Sequence, residues 1–223
     1  MKNSKKIIDL TMLIKEGMQT FPTHWHPLVE ITQLGRHGIE NRETRKITIG
    51  THTGTHIDAP SHFIKDGDTV DGIPMELLVG FASVLDLTNF GPKTQLSKND
   101  LVQALGERSA ERVLMRFDWD INLGTMSYYD DSPYLSENAA QWLVDQGCCL
   151  LGMDTPMPDN PQNGYNCSID SPIHKILLGN GVILVEYMVN LSLLNQPVVE
   201  LVIAPLKIHN GDGAPVRAFA IVD

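Results

Sequence analysis

Thr51 to His62 reads THTGTHIDAPSH and places His52, His56, Asp58 and His62 in one short window. Neutral imidazole and carboxylate are the donor types that hold zinc or a similar divalent ion. Their spacing restricts the backbone. In a straight strand His52 and His56 would stand about 13 Å apart at ~3.3 Å per residue, too far to share an ion comfortably. A helix would bring them within one turn, but Thr51, Thr53, Gly54, Thr55 and Pro60 are poor helix-interior residues. A bend at Gly54, which tolerates unusual dihedrals, is therefore predicted. Beyond it, His56 and Asp58 at i, i+2 on an extended segment point the same way, and Pro60 stops its continuation. The alternative is a polar exposed loop. Four potential ligands in one window weigh against it, allowing for the false positives of any short motif.

Two further stretches carry candidate chemistry. Ser171 and Pro172 read as the N-cap and first residue of a short helix ended by Gly179, which puts His174 in its first turn. Val182 to Tyr187, VILVEY, is a buried strand interrupted by Glu186. A buried carboxylate is costly unless it is paired or holds a metal; the other reading is an edge-strand glutamate facing water. Near the N-terminus, Gln19 to Pro27 is a loop of sequence QTFPTHWHP, whose Phe21, Trp25, His24 and His26 could line a pocket mouth. On sequence alone it is equally open that Phe21 and Trp25 cover the core edge.

The elements that must position these groups follow from periodicity. Lys5 to Leu10, Val29 to Gln33 and Val79 to Leu87 read as strands. Arg45 to Thr51 alternates Ile47 and Ile49 with polar neighbours as a half-buried strand does, and delivers the chain to His52. Ser97 caps a helix with Asp100 at N3 and Leu101, Val102 and Leu105 as its apolar face, and Gly106 ends it. Arg112 to Phe117 is the next strand. The loop Asp118 to Leu135, with Trp119, Tyr128, Tyr129 and Tyr134, is long enough to close over a substrate or to meet a second subunit. Ser136 caps a helix running to Gln146 and closed by Gly147, and Cys148 to Met153 is an apolar strand. Asp154 at its end reads as a turn cap, with orientation of a metal ligand as the other possibility. Thr155 to Cys167 is a loop. Pro197 to Ile208 and Ala214 to Val222 are joined by the tight-turn sequence HNGDG, beside which His209 reads as structural. Strand, helix, strand, helix, strand predicts a parallel or mixed sheet with helical cover.

Composition bounds the function. At 223 residues and 42% hydrophobic, the chain can bury a full core in one domain or at most two, of which one is expected. A net charge of -10 argues against nucleic acid or anionic membrane as partners. The first residues carry lysines, but their apolar runs are broken by Asp9, Thr11, Lys15 and Glu16, so neither a secretory signal nor a membrane span is expected. With three cysteines, two adjacent at Cys148 and Cys149, no disulfide framework is implied and a cytoplasmic location is expected. The chain has no G-x-S-x-G elbow, no P-loop and no G-x-G-x-x-G, which disfavours serine hydrolase and nucleotide-binding readings.

The run His52-x-Gly54-Thr55-His56-x-Asp58-x-Pro60-x-His62 resembles the signature of the metal-dependent cyclase family, which includes bacterial kynurenine formamidases and isatin hydrolases. In that family a histidine followed twelve residues later by a glutamate supplies further ligands, and His174 and Glu186 have this separation. The resemblance implies one ion on His52, His56 and Asp58, and a second on His174 and Glu186 with Asp58 bridging; some relatives bind one. Zinc is expected, with manganese as the alternative, and His62 as the general acid and base. It also implies one compact α/β domain over 1–223, a mixed sheet with covering helices in a swivelling β/β/α architecture, assembled as a homodimer or homotetramer. The implied substrate is an N-formylated arylamine such as N-formylkynurenine. Bacterial kynurenine formamidases carry Trp-Pro-Gly-Asp near the N-terminus, with the tryptophan on the substrate, where this chain has Phe21-Pro22-Thr23-His24. That departure leaves isatin-like cyclic amides and lactones open, as well as a non-catalytic member that binds a metal and a small acid.

Overall fold

The structure, a computed structural model, describes residues 5–163 and 168–222. First come β1 (Lys6–Asp9), the hairpin of β2 (Glu30–Gly35) and β3 (Thr44–Thr48), and the short β4 (His56–Asp58). Helix α1 (Met75–Leu78) leads into β5 (Val79–Asp86), and β6 (Gln95–Leu96) precedes α2 (Lys98–Leu105), which returns the chain to β7 (Arg112–Arg116). After α3 (Ser127–Asp130) and β8 (Tyr134–Leu135), α4 (Glu137–Asp145) leads to β9 (Leu150–Met153). Helix α5 (Pro172–Gly179) makes the last crossover, to β10 (Ile183–Glu186), before β11 (Val198–Pro205) and β12 (Gly213–Val222).

Local chemistry sets the helix ends. The Ser97 hydroxyl accepts from the Asp100 backbone N–H while the Asp100 carboxylate accepts from the Ser97 N–H, a reciprocal cap that satisfies two donors at the start of α2. Leu101 and Leu105 face the core, whereas Val102, one position round the helix, is largely exposed. Ser136 caps α4 by accepting from Ala139 N–H, and Gly147 in the left-handed region ends it.

The βαβ pattern gives the expected parallel core: β5, β7, β9 and β10 run parallel in that order. Antiparallel β11 and β12 extend it past β5, and β4 pairs with both β10 and β12, so the sheet closes into a barrel of seven strands, with β1 added beside β12. Period-two alternation divides the apolar residues between two clusters. Ile57, Leu114, Leu150, Ile183, Val185, Leu201 and Ala214 belong to one, inside the closed sheet. Val113, Met115, Leu151, Met153 and Leu184 belong to the other, under the helices. Cβ-free Gly152 lets Leu114 and Met188 close over its strand; a Cβ there would lie 2.6 Å from Leu114 Cδ2. Among the described residues, no helix is long and apolar enough to cross a membrane.

Two expectations are corrected. The predicted half-buried strand before His52 is β3, and all of it is exposed, with Ile47 57% accessible. Among the described residues it pairs only with β2, in a separate two-stranded sheet, so its alternation meets no core surface there. Asp118 to Leu135 does not present its aromatics as an exposed surface. A 3-10 turn over Trp119–Asn122 and α3 bury Trp119, Tyr128 and Tyr129. Trp119 Nε1–H donates to the Tyr128 carbonyl, and the Tyr128 hydroxyl donates to the Asp154 carbonyl. Asp154 is a turn cap, accepting from the backbone N–H groups of Phe117 and Asp118. The loop predicted to end at Cys167 runs, at that end, outside the described residues.

Candidate metal centre and active site

Strand β4 owes its place to a register in which both edges are paired. His56 stands opposite Glu186 of β10 and Pro215 of β12, and Asp58 opposite Leu184 and Gly213. Alternation then sends Ile57 into the barrel and His56 and Asp58 to the other face. Glu186, directly across from His56, shares that face. Gly54 makes the predicted bend at φ 62°, and it brings His52 to within 5.0 Å of the His56 ring centroid, 85° between planes. Thr55 locks the turn: its hydroxyl donates to the Tyr187 carbonyl at 2.6 Å and accepts from Met12 N–H at 2.7 Å. Helix α5 delivers His174 from above.

Each imidazole is held by one nitrogen and turns the other toward the same carboxylates. His56 Nδ1–H donates to the Gly54 carbonyl at 2.8 Å, leaving Nε2 3.2 Å from Asp58 Oδ1 and 3.5 Å from Glu186 Oε2. His174 Nδ1 sits 2.5 Å from Asp159 Oδ2, and its Nε2 stands 3.2 Å from Glu186 Oε1 and 3.5 Å from Asp58 Oδ2. His52 Nε2 lies 2.8 Å from Asp212 Oδ2, and Nδ1 2.8 Å from Asp58 Oδ1. An imidazole anchored through one N–H offers its other nitrogen as a lone pair, the arrangement that metal-binding histidines adopt.

The electrostatics call for positive charge at the centre. Asp58, His174 and Glu186 are all buried. Burial alone would raise the Asp58 pKa, but His52 and then His62 outweigh it and hold the carboxyl well below its usual range. Glu186 is pushed up, by burial first and the Asp58 charge second. Burial opposes protonation of His52 and His174, yet Asp58 and Asp212 push His52 up to about 10, and Asp159, Asp58 and Glu186 raise His174 well above its ordinary value.

The donor set fits a divalent ion. Asp58 Oδ2 is a buried carboxylate oxygen without a hydrogen-bond partner, a position that bare protein leaves unsatisfied and a cation would satisfy. Among the described residues, groups able to hold an ion form three overlapping sets at this one place: His52, His56 and Asp58; Asp58, His174 and Glu186; and His52, His62 and Asp212. Asp58 belongs to the first two, one oxygen toward each. The sequence-predicted ligands are thus brought together, and the water-facing reading of Glu186 is excluded by its burial.

His62 ends the 3-10 turn Pro60–His62 and stands to one side of Asp58. Its ring stacks on His52 at 3.9 Å and 32°, and its Nδ1 lies 3.4 Å from Asp212 Oδ2. A cavity of about 220 Å³ opens beside it, lined by Phe21, Trp25, His26, Phe63, Met157 and Tyr187 as well as the cluster itself. Phe21 meets Tyr129 edge-on at 5.7 Å, and Trp25 is 51% exposed at the mouth. His24 does not line this cavity; its ring meets Trp25 edge-on at 4.7 Å. His26 is kept neutral, its pKa lowered to about 4 by burial and then by His52, His56 and His62. Tyr187, in the wall, holds φ 55°, a conformation rare for an aromatic residue and typical of functional sites.

Two residues of the site escaped the sequence reading, and one was assigned wrongly. Ser171 does not cap α5: it lies in the left-handed region and makes no cap bond. Asp159 does so instead, accepting from the N–H groups of Ile173 and His174. Asp212, in the HNGDG turn, reaches both His52 and His62. Next to it Gly213 is required, because a Cβ there would lie 2.6 Å from His52 Cε1. The turn was legible, its destination was not.

The cyclase family model matches residues 8–160. Kynurenine formamidase of Salinibacter ruber (strain DSM 13855 / M31) is 35% identical over 174 residues, 77% of this chain and 76% of that protein. Kynurenine formamidase of Bacillus thuringiensis (strain Al Hakam) is 32% identical over 176 residues, 78% and 77% of the two chains. Among solved structures, isatin hydrolase A from Labrenzia aggregata bound to benzyl benzoate matches with a TM-score of 0.86 at 27% identity, over 98% of this chain and 94% of that one. A structure described as a potential metal-dependent hydrolase with cyclase activity matches at 0.79 and 28% identity, over 98% of each.

Proposed function

Because the chain is an amidohydrolase that belongs to the cyclase family, we propose that it uses a divalent metal to hydrolyse a small aryl amide, an N-formylated arylamine such as N-formylkynurenine. The observation that carries the reading is Asp58, buried between two donor sets with an unsatisfied oxygen, next to a histidine that lines an aromatic cavity. His52, His56 and Asp58 would hold one ion, and His174 and Glu186 a second with Asp58 shared. Zinc or manganese suits such donors. When bound, the metal brings the pKa of water down to about 7 and polarises the carbonyl to be attacked.

His62 supplies the proton transfers. Its ring accepts a proton from the attacking water as the carbon–oxygen bond forms, and gives it to the leaving nitrogen as the carbon–nitrogen bond breaks, so that amide and water become a carboxylic acid and an amine. Phe21 and Trp25 present aromatic faces to the aryl group, and His26, held neutral, adds a polar contact without charge. A cyclic amide or lactone is the second reading. It is favoured by the run Phe21-Pro22-Thr23-His24, which keeps an aromatic in the pocket wall at Phe21 but otherwise departs from the formamidase pattern.

The test is hydrolysis of an N-formylated arylamine and of isatin by the purified protein, after chelation and after separate readdition of zinc and manganese. Activity on the formamide that disappears and returns with one ion is expected. Activity on isatin alone would select the second reading, and activity indifferent to chelation would remove the metal. His62→Ala should keep the ion and lose about a hundredfold to ten-thousandfold in kcat.

A further inference from the structure

Asp212 is joined by one oxygen to two histidines of different standing. Oδ2 lies 2.8 Å from Nε2 of His52 and 3.4 Å from Nδ1 of His62. The backbone around it is fixed from both sides. Its carbonyl accepts from Ala59 N–H at 2.9 Å, just past β4, and the Gly211 carbonyl accepts from Val70 N–H at 2.8 Å. Asn210 at φ 53° and Gly213, with no Cβ to strike His52, let the turn approach this closely. The carboxylate is thus tethered to the segment that carries His56, Asp58 and His62 without belonging to it in sequence.

Among the described residues, the His62 ring otherwise meets other rings: His52 stacked at 3.9 Å, and Phe63 and His174 edge-on at 4.5 and 6.3 Å. Such contacts fix a ring plane but not its tautomer. We infer that Asp212 is the positioning residue of the proton carrier: its carboxylate fixes the Nδ1–H tautomer of His62 and leaves Nε2 to exchange protons with substrate and water. This rests on the role given to His62 above. A carboxylate behind an imidazole performs this service wherever a histidine must act as base and then as acid. The 3.4 Å separation is one that commonly shortens when substrate is bound. The shared oxygen also aligns the proton carrier with His52, so both hang from one anchor.

The experiment uses the full chain, zinc-loaded to saturation, as Asp212→Ala, Asp212→Asn, Asp212→Glu, His62→Ala and the double variant His62→Ala with Asp212→Ala. Zinc content, kcat and KM on the N-formylated arylamine are measured, together with the ¹⁵N shifts of the His62 ring. Asp212→Ala should lower kcat about 10–100-fold with KM nearly unchanged, the usual range for a residue that orients a site group. Asp212→Glu should recover part of the loss. The double variant should be no slower than His62→Ala, since a residue that acts through His62 has nothing left to act on. The His62 nitrogen shifts should move from one tautomer toward a mixture in Asp212→Ala and, if that protein folds poorly, in Asp212→Asn. Equal losses with and without His62, or unchanged ring shifts, overturn the inference. Full activity of His62→Ala would instead overturn the role of His62, with the ring shifts still deciding whether Asp212 sets its tautomer.

Discussion

Asp159 combines two tasks at residue scale. Its Oδ1 accepts from Ile173 N–H at 2.8 Å, and its Oδ2 from His174 N–H at 3.1 Å, which closes the open start of α5; the same Oδ2 holds His174 Nδ1 at 2.5 Å. Asp159→Ala should therefore weaken metal binding about 10–100-fold and destabilise the fold by about 1–2 kcal/mol, seen together in a metal titration and a thermal melt. A change in only one of the two would separate the tasks. Gly213→Ala places a methyl against His52 and against the Ile57 carbonyl of β4, and should weaken metal binding through that histidine and lower Tm together. His26 tests the electrostatics. With a folded pKa of about 4 against an ordinary 6.5, the folded state binds fewer protons than the unfolded one between these values. Its contribution is present above pH 6.5 and is lost as pH falls toward 4. NMR titration should find His26 neutral at pH 5.5, where an ordinary histidine is mostly protonated.

At the scale of elements, capping separates what a sequence states locally from what it does not. Ser97 and Asp100 are three residues apart and make the reciprocal cap that their types predict. Ser97→Ala should cost about 1 kcal/mol, or roughly 2–4 °C in Tm for a chain of this size, with metal content and kcat/KM unchanged. Ser171→Ala should lower Tm by far less, because Ser171 makes no cap bond and the cap comes from Asp159, which is distant in sequence. The same distinction runs through the fold and the site. The His52 to Asp58 arrangement, the Gly54 bend and the parallel strand and helix alternation depend on near neighbours and were legible. Pairing of β4 with β10 and β12 closes the barrel across the chain, and the reach of Asp212 back to His52 depends on that pairing. Neither has a signal in local types. Ile47 and Ile49 show the converse: alternation states which residues share a face, not whether anything covers it.

At the scale of the molecule, the cluster joins parts that no local contact would keep together. His52 and β4 come from the first third of the chain, His174 and Glu186 from the last, with Asp159 and Asp212 behind them. Without an ion, the buried Asp58 and Glu186 face each other across imidazoles that must take up protons to balance them, which is the direction in which His52 and His174 are pushed. Loading the metal should thus release protons, and calorimetry in buffers of different ionisation enthalpy should register them. It should also stabilise the whole chain, because the unfolded chain does not gather these donors. At free metal one hundred times its Kd, the linkage amounts to about 2.7 kcal/mol, or roughly 5–11 °C in Tm at this length. A chelated sample that melts at the same temperature, and binds metal without proton release, would mean that the ion is held elsewhere than on the Asp58 cluster. If both effects disappear in Asp58→Ala, the ion is tied to the carboxylate that the two donor sets share.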